Sequence, residues 1–297
     1  MITENKGQQY SVSEHDIFKP KGSVIGMTVK IGFSAGNLED NTVAVNEQAN
    51  QATIVPRKSV VLVYFSQRNM KLSYYNDQFD LHCGDLVYVD GKLEGLRGRV
   101  VEVNYNFKIK ISDYKRVIAV VDTSVSGQFF MAGSHFATFD RTALPGSKAL
   151  TWFQAPEKEE DEFVSGHDDT SFLLERLQDM HVSDAIAERG NTYYMENRVR
   201  YISVDGSRGY AIVEGSESYE VEFVYCNGEI SNLTCTCFCS YNCKHEFAAM
   251  LQLRETLAIL EENYAEQWGS TDYFAAIDKS VLFSLAIDRK EKGSFTL

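Results

Sequence analysis

From residue 22 to about residue 130 the apolar positions alternate with polar ones and nowhere settle into helical spacing. The stretches SVIGMTVKIGF (23–33), SVVLVYF (59–65), DLVYVDG (85–91) and RVVEVNYNFKIKI (99–111) are rich in Val, Ile, Tyr and Phe. Clusters of Gly, Asn and Asp, such as GNLEDN and GKLEGLRG, interrupt them as turns would. The pattern predicts an all-β, barrel-like first domain over residues 1–156. In its last strand Phe107, Ile109 and Ile111 would point inward and Lys108 and Lys110 outward.

The pattern changes after Pro156. EKEEDEFVSGHDD (157–169) holds seven acids and one lysine, a self-repelling block read as a linker over 157–170. SFLLERLQDM (171–180) places Phe172, Leu173, Leu177 and Met180 at helical spacing. SDAIAER (183–189) predicts a second short helix, with Ser183 as N-cap and Gly190 as stop. A β run follows from Tyr193 to the cysteines. Within it Tyr219, Val221, Phe223 and Tyr225 alternate with Glu220 and Glu222, and Asn227-Gly228 marks a tight hairpin. EFAAMLQLRETLAILEEN (246–263) and TDYFAAIDKSVLFSLAI (271–287) read as helices. The expected fold class is α+β: an all-β domain, the linker, and an α+β module over 171–297.

Charge divides the same way. Of a net −13 over 297 residues, residues 1–156 carry 17 basic and 15 acidic side chains, and 157–297 carry 12 and 27. The second part is therefore acidic overall, and any phosphate-binding face must be local or lie in the first part. The N-terminal segment lacks the apolar core of a signal peptide, and no apolar run is long enough to span a bilayer. The expected location is the cytoplasm, away from membranes, where thiols stay reduced.

In that setting CTCFCSYNCKH (235–245), with four of the chain's six cysteines and a histidine, reads as a metal site. Pairing across Asn227-Gly228 sets Cys226 opposite Glu229, roughly 20 Å from Cys235 along the strand, and so out of reach. Cys235 and Cys237, two apart at a strand end, face one side. Cys243 and His245 stand at the entrance of the next helix, where a loop can turn both toward the first pair. Three thiolates and an imidazole form a closed tetrahedral shell for one structural Zn²⁺. Cys239 allows a second frame, Cys237, Cys239, Cys243 and His245, and an iron–sulfur cluster on the four cysteines is a further alternative. HEFAAM lacks the second histidine of a zinc protease, and CxxC is absent.

The arrangement Cys-x-Cys, spacer, Cys-x-His resembles the SWIM-type zinc finger. Upstream, Ala211, Val213, Gly215, Ser216, Tyr219 and Val221 match that family's AxVxGSxxYxV pattern, preceded by Glu188-Arg189-Gly190 and Tyr193-Tyr194. The resemblance covers roughly residues 183–260. It implies a zinc-bound module with recognition functions, nucleic acid first among its partners. SWIM modules often accompany an ATPase, which here would have to act in trans.

GDLVYVDGKLEGLRGRVVEV (84–103) similarly resembles a KOW-type, SH3-like barrel motif, with Gly84, Gly91, Gly95 and Gly98 as its glycines. That resemblance implies contacts to RNA or to proteins. Arg97, Arg99, Tyr105, Lys108, Lys110, Lys115 and Arg116 then form a candidate stacking and phosphate surface. No phosphate loop, dinucleotide fingerprint or GxSxG elbow occurs. The chain thus reads as non-enzymatic, with no evident small-molecule substrate. Nucleic acid is the first expected partner, and a protein partner is the alternative that the acidic second part favours.

Overall fold

The computed structural model describes residues 56–156, 164, 166, 170–239, 241–287 and 294–296. The expected strand at 23–33 and most of the acidic segment lie outside these residues. The fold is α+β.

The first sheet has five antiparallel strands: β1 (Ser59–Phe65), β2 (Met70–Asn76), β3 (Leu86–Val89), β4 (Gly98–Asn104) and β5 (Val117–Val121), in the order β2-β1-β4-β3-β5. Alternation in β1 buries Val61, Val63 and Phe65 against Tyr74, Leu81, Val87 and Val100. The two edges of the sheet meet where the Tyr75 amide donates to the Lys115 carbonyl at 2.9 Å. The expected strand at 107–111 does not form. These residues follow β4 without joining a strand and end in a 3-10 turn, Ile111–Asp113. Phe107 instead packs edge-on against Tyr75.

Three short strands follow, β6 (Ser126–Gln128), β7 (Phe130–Ala132) and β8 (His135–Thr138), then helix α1 (Gly146–Thr151). Further on come β9 (Ser171–Leu173), α2 (Asp184–Met195), β10 (Val199–Asp205), β11 (Arg208–Glu214), β12 (Ser218–Cys226) and β13 (Glu229–Cys235). The chain continues with α3 (Lys244–Asn263), α4 (Ala265–Thr271), β14 (Tyr273–Asp278), α5 (Lys279–Leu282), a π-helical turn (Phe283–Ile287) and β15 (Ser294–Thr296). An eight-stranded sheet runs β7-β8-β14-β10-β11-β12-β13-β9, and β6 pairs in parallel with β15.

One face of the large sheet packs on α3 through Ala248, Ala249, Leu253 and Leu257. The other buries Tyr201, Ile212, Ile277 and Trp152, and Tyr88 of β3 joins the same cluster. Residues on both sides of the expected boundary at 156 thus share one cluster. β7 and β8 belong to the large sheet, and Trp152 ties the two sheets together by donating its indole N–H to the Asp122 carbonyl at 2.8 Å. Core membership depends on side chains that lie on both sides of the acidic run in sequence.

Three other expectations change. Residues 171–180 form β9 and a 3-10 turn instead of a helix, because Ser171–Leu173 pairs with Glu229–Ser231 at the sheet edge. Residues 273–278 form an interior strand flanked by β8 and β10, all six buried, and helical structure begins only at Lys279. α2 starts at the expected Ser183 cap but runs through Gly190 to Met195, so Tyr193 and Tyr194 are helical. Gly190 is a close-approach site, since a Cβ there would lie 2.8 Å from the Phe247 side chain of α3. Among the described residues no helix is long and apolar enough to cross a membrane.

His135, fully buried in β8, makes the core pH-sensitive. The Val199 carbonyl can only accept, so Nε2 carries the proton and donates at 2.7 Å, and Nδ1 accepts from the Ser134 hydroxyl at 2.9 Å. Burial lowers its pKa from 6.5 to about 4. Between those values the unfolded chain binds a proton that the folded chain does not, so stability falls as pH is lowered through this window. The expected loss between pH 7 and 4.5 is about 2 kcal/mol. Urea unfolding at the two pH values, for the wild type and for His135→Gln, checks this. The variant should lack that increment, and equal pH dependence in both would contradict it.

Candidate metal centre

The β12–β13 hairpin turns at Asn227 and Gly228, both with positive φ, in a register that pairs Cys226 with Glu229 and Val221 with Cys235. Cys226 is thereby held at the far end of the hairpin, exposed, and Cys83 is exposed next to the first sheet. Beyond β13 the Thr236 amide still donates to the Glu220 carbonyl. The loop is then tied down by Asn242, whose side-chain amide donates to the Met180 carbonyl at 2.6 Å.

Cys243 is the N-cap of α3. Its sulfur accepts from the Glu246 amide, and the Glu246 carboxylate accepts from the Cys243 amide at 2.6 Å. This capping box fixes the first turn of the helix and with it the directions of Cys243 and His245. Cys-x-x-Glu is its sequence signal, easily overlooked because cysteine stands where serine or threonine is usual.

The ligand atoms of Cys235, Cys237, Cys243 and His245 all lie within 4.8 Å of one another. His245 Nδ1 stands 3.8 Å from the Cys235 sulfur and 3.7 Å from the Cys243 sulfur. A tetrahedral Zn²⁺ with ordinary Zn–S and Zn–N bonds would place such a pair about 3.6 Å apart. Both nitrogen–sulfur separations match such a site, and the remaining donors, all within 4.8 Å of one another, need only a small inward shift to reach the roughly 3.8 Å expected between two zinc-bound sulfurs.

Two tyrosines hold the imidazole. Tyr219 stacks on it, centroids 4.1 Å apart and planes at 18°, and Tyr193 lies against it at 5.5 Å. Gly215 permits this packing, since a Cβ there would stand 2.9 Å from the Tyr219 ring and 3.4 Å from Nε2. Nε2 is buried without a hydrogen-bond partner among the described residues, so the polar contacts of the ring are all on the Nδ1 side.

The protein environment alone favours neutral ligands. Burial, then the neighbouring Cys243, pushes the Cys237 thiol up to about 12. The hydrogen bond to Cys235 and burial raise Cys243 as well. Burial lowers His245 to about 4, with Lys244 adding to the effect, and raises Glu246 to about 7. A bound dication reverses this balance for the thiols, because it stabilises thiolate directly. Cys239 is exposed and stands outside the group.

The basic surface expected on the first sheet is only partly available. Arg97 turns inward and donates to the Trp152 carbonyl, and burial lowers its pKa. Arg99 donates to the Gly84 carbonyl at 2.9 Å. Arg116 pairs with Asp77 at 2.7 Å and lies over the Tyr75 ring. Arg57 covers one face of Tyr105 at 4.3 Å, and Lys110 approaches Asp113 at 3.9 Å. Lys108 and Lys115 are exposed. Periodicity cannot reveal this, because an arginine that caps a carbonyl in a neighbouring element looks like any other in sequence. Comparison with family models, curated proteins and solved structures returns no match, so the chemistry of the centre has to be argued from its own residues.

Proposed function

We propose that the chain is a non-enzymatic recognition module of the SWIM type, closed around one structural Zn²⁺, with nucleic acid as its first partner. The observation that carries this reading is the closed group of four protein donors at the start of α3. Three soft thiolates and one imidazole in tetrahedral reach select Zn²⁺, and four protein ligands leave no open position for a substrate. The pattern shared with SWIM fingers supports the same assignment in space. Gly215, Tyr219 and Tyr193 surround the His245 ring, and Ala211, Val213 and Val221 lie in the core beneath it.

The first sheet supports the KOW-like, SH3-like barrel reading through the contact between its edges and through the positive φ of Gly84, Gly91 and Gly95. Of the residues expected on its binding surface, Tyr105, Lys108, Lys110 and Lys115 are the exposed ones that can meet a phosphate backbone. Fluorescence anisotropy with labelled single-stranded DNA, duplex DNA and RNA tests this. Binding should weaken with salt, and the double variant Lys108→Ala/Lys110→Ala should lower the salt slope by about 2. Absence of binding at low salt would reject nucleic acid.

The adaptor reading rests on a separate observation. Phe238 and Tyr241 are 96% and 77% exposed on the loop between metal ligands, and residues 235–243 contain no charged side chain. Exposed aromatics close together in sequence on one loop suit a protein pocket.

A further inference from the structure

The face of the large sheet opposite α2 and α3 is only partly covered. Over β10 to β13 it opens into a cleft of about 720 Å³, a volume typical of small-ligand sites. Arg208 and Tyr210 of β11 and Glu222 and Val224 of β12 share this face. Arg208 is opposite Val224 and Tyr210 is opposite Glu222, in successive same-face rungs of the ladder. Arg208 and Glu222 are thus diagonal neighbours, with Cβ atoms about 7 Å apart. Both are exposed, and among the described residues neither has an ion-pair partner.

The other charged pair in the cleft is already closed. Arg141 bonds Asp205 and the Thr271 carbonyl, each at 2.9 Å, and lies over the Tyr273 ring. The cleft therefore presents one cationic and one anionic side chain that, among the described residues, form no ion pair.

Between them stands a fixed aromatic wall. The Tyr210 hydroxyl donates to Glu220 at 2.8 Å, and its ring meets Tyr201 edge-on at 6.1 Å. Gly146 lies so close that a Cβ there would stand 3.2 Å from the ring. Asn232 and Thr234 of β13 add an amide and a hydroxyl to the rim.

We propose that this cleft binds a small dipolar ligand bearing both a carboxylate and an ammonium group, namely a short peptide with free ends. Arg208 would take the carboxylate through its planar fork and Glu222 the ammonium. A free amino acid separates its two charges by only about 3 Å, whereas one more residue adds about 3.6 Å and lets the two ends engage separate side chains. A phosphate-rich ligand is disfavoured, because Arg208, the one cleft guanidinium without an ion-pair partner among the described residues, stands beside the Glu222 carboxylate. The cleft is thus distinct from any nucleic-acid surface on the first sheet. It is nonetheless joined to the metal centre, since strand alternation sends Thr234 to the cleft and Cys235 to the opposite face.

Calorimetric titration of the full chain with the dipeptide Ala-Leu tests the proposal, with its N-acetyl and C-amide forms and AMP as comparisons. Ala-Leu should bind one to one with Kd below about 1 mM. Amidation should weaken binding to the wild type about tenfold but leave binding to Arg208→Gln unchanged, and acetylation should act likewise through Glu222→Gln. Absence of saturable heat, indifference to blocking the ends, or tighter binding of AMP would each overturn it. Both variants replace exposed side chains, and circular dichroism confirms that they remain folded.

Discussion

Cys243→Ala is expected to lose the metal and unfold the α2–α3 side of the large sheet. Binding of a structural Zn²⁺ by a small site is worth about 10–16 kcal/mol at neutral pH, comparable with the whole stability of an ordinary domain, about 5–15 kcal/mol. The substitution removes a ligand and also the sulfur that caps α3, which alone costs about 1 kcal/mol. His245→Ala should behave similarly, leaving Tyr219 and Tyr193 without the ring they enclose. Cys239→Ala is the control. An exposed thiol outside the ligand group should change stability by no more than about 0.5 kcal/mol. Thermal melts monitored by circular dichroism, together with metal analysis of each purified variant, provide the readout. A Cys243→Ala protein that keeps its metal and melts with the wild type would show that the group is not a metal centre. A Cys239→Ala protein that loses its metal would transfer the site to the other cysteine frame.

Trp152→Ala should be the most destabilising change away from the metal. Trp152 is fully buried, donates to the Asp122 carbonyl, and through its own carbonyl receives Arg97 from the first sheet. It shares a cluster with Tyr88 of the first sheet and Tyr201 of the second. Truncation removes the indole and leaves a cavity between elements that cannot collapse independently, at a cost of about 3–5 kcal/mol. Urea unfolding measures this, and Trp152→Phe should recover part of the loss. A cost below about 1 kcal/mol would mean that the two sheets do not depend on a common core at this point.

The parts of this molecule legible in sequence are those governed by neighbours along the chain. β1 shows as alternation, the β12–β13 hairpin as Asn227-Gly228, and the cap of α2 as Ser183. The four clustered ligands are readable for the same reason, since one hairpin end and one helix start bring them together. What could not be read depends on partners distant in sequence. Ser171–Leu173 carries helical spacing, yet an edge of β13 is available to it and strand pairing prevails. Tyr273–Asp278 is apolar on both faces, as an interior strand requires, and in a short run that cannot be told from a buried helix. Gly190 signals a stop, but its lack of a side chain serves contact with Phe247. Arg97 was expected on a binding surface and instead holds a carbonyl 55 residues away. The cleft above β10–β13 has no motif at all, because it is assembled from a few residues on each of several strands and on the segment around Gly146.

The most direct test of the metal centre is zinc K-edge X-ray absorption on the purified wild-type protein. The account predicts one zinc per chain with three sulfur neighbours at about 2.3 Å and one nitrogen at about 2.0 Å. An all-sulfur shell, which would bring in Cys239 and release His245, would contradict it, as would the absence of stoichiometric zinc.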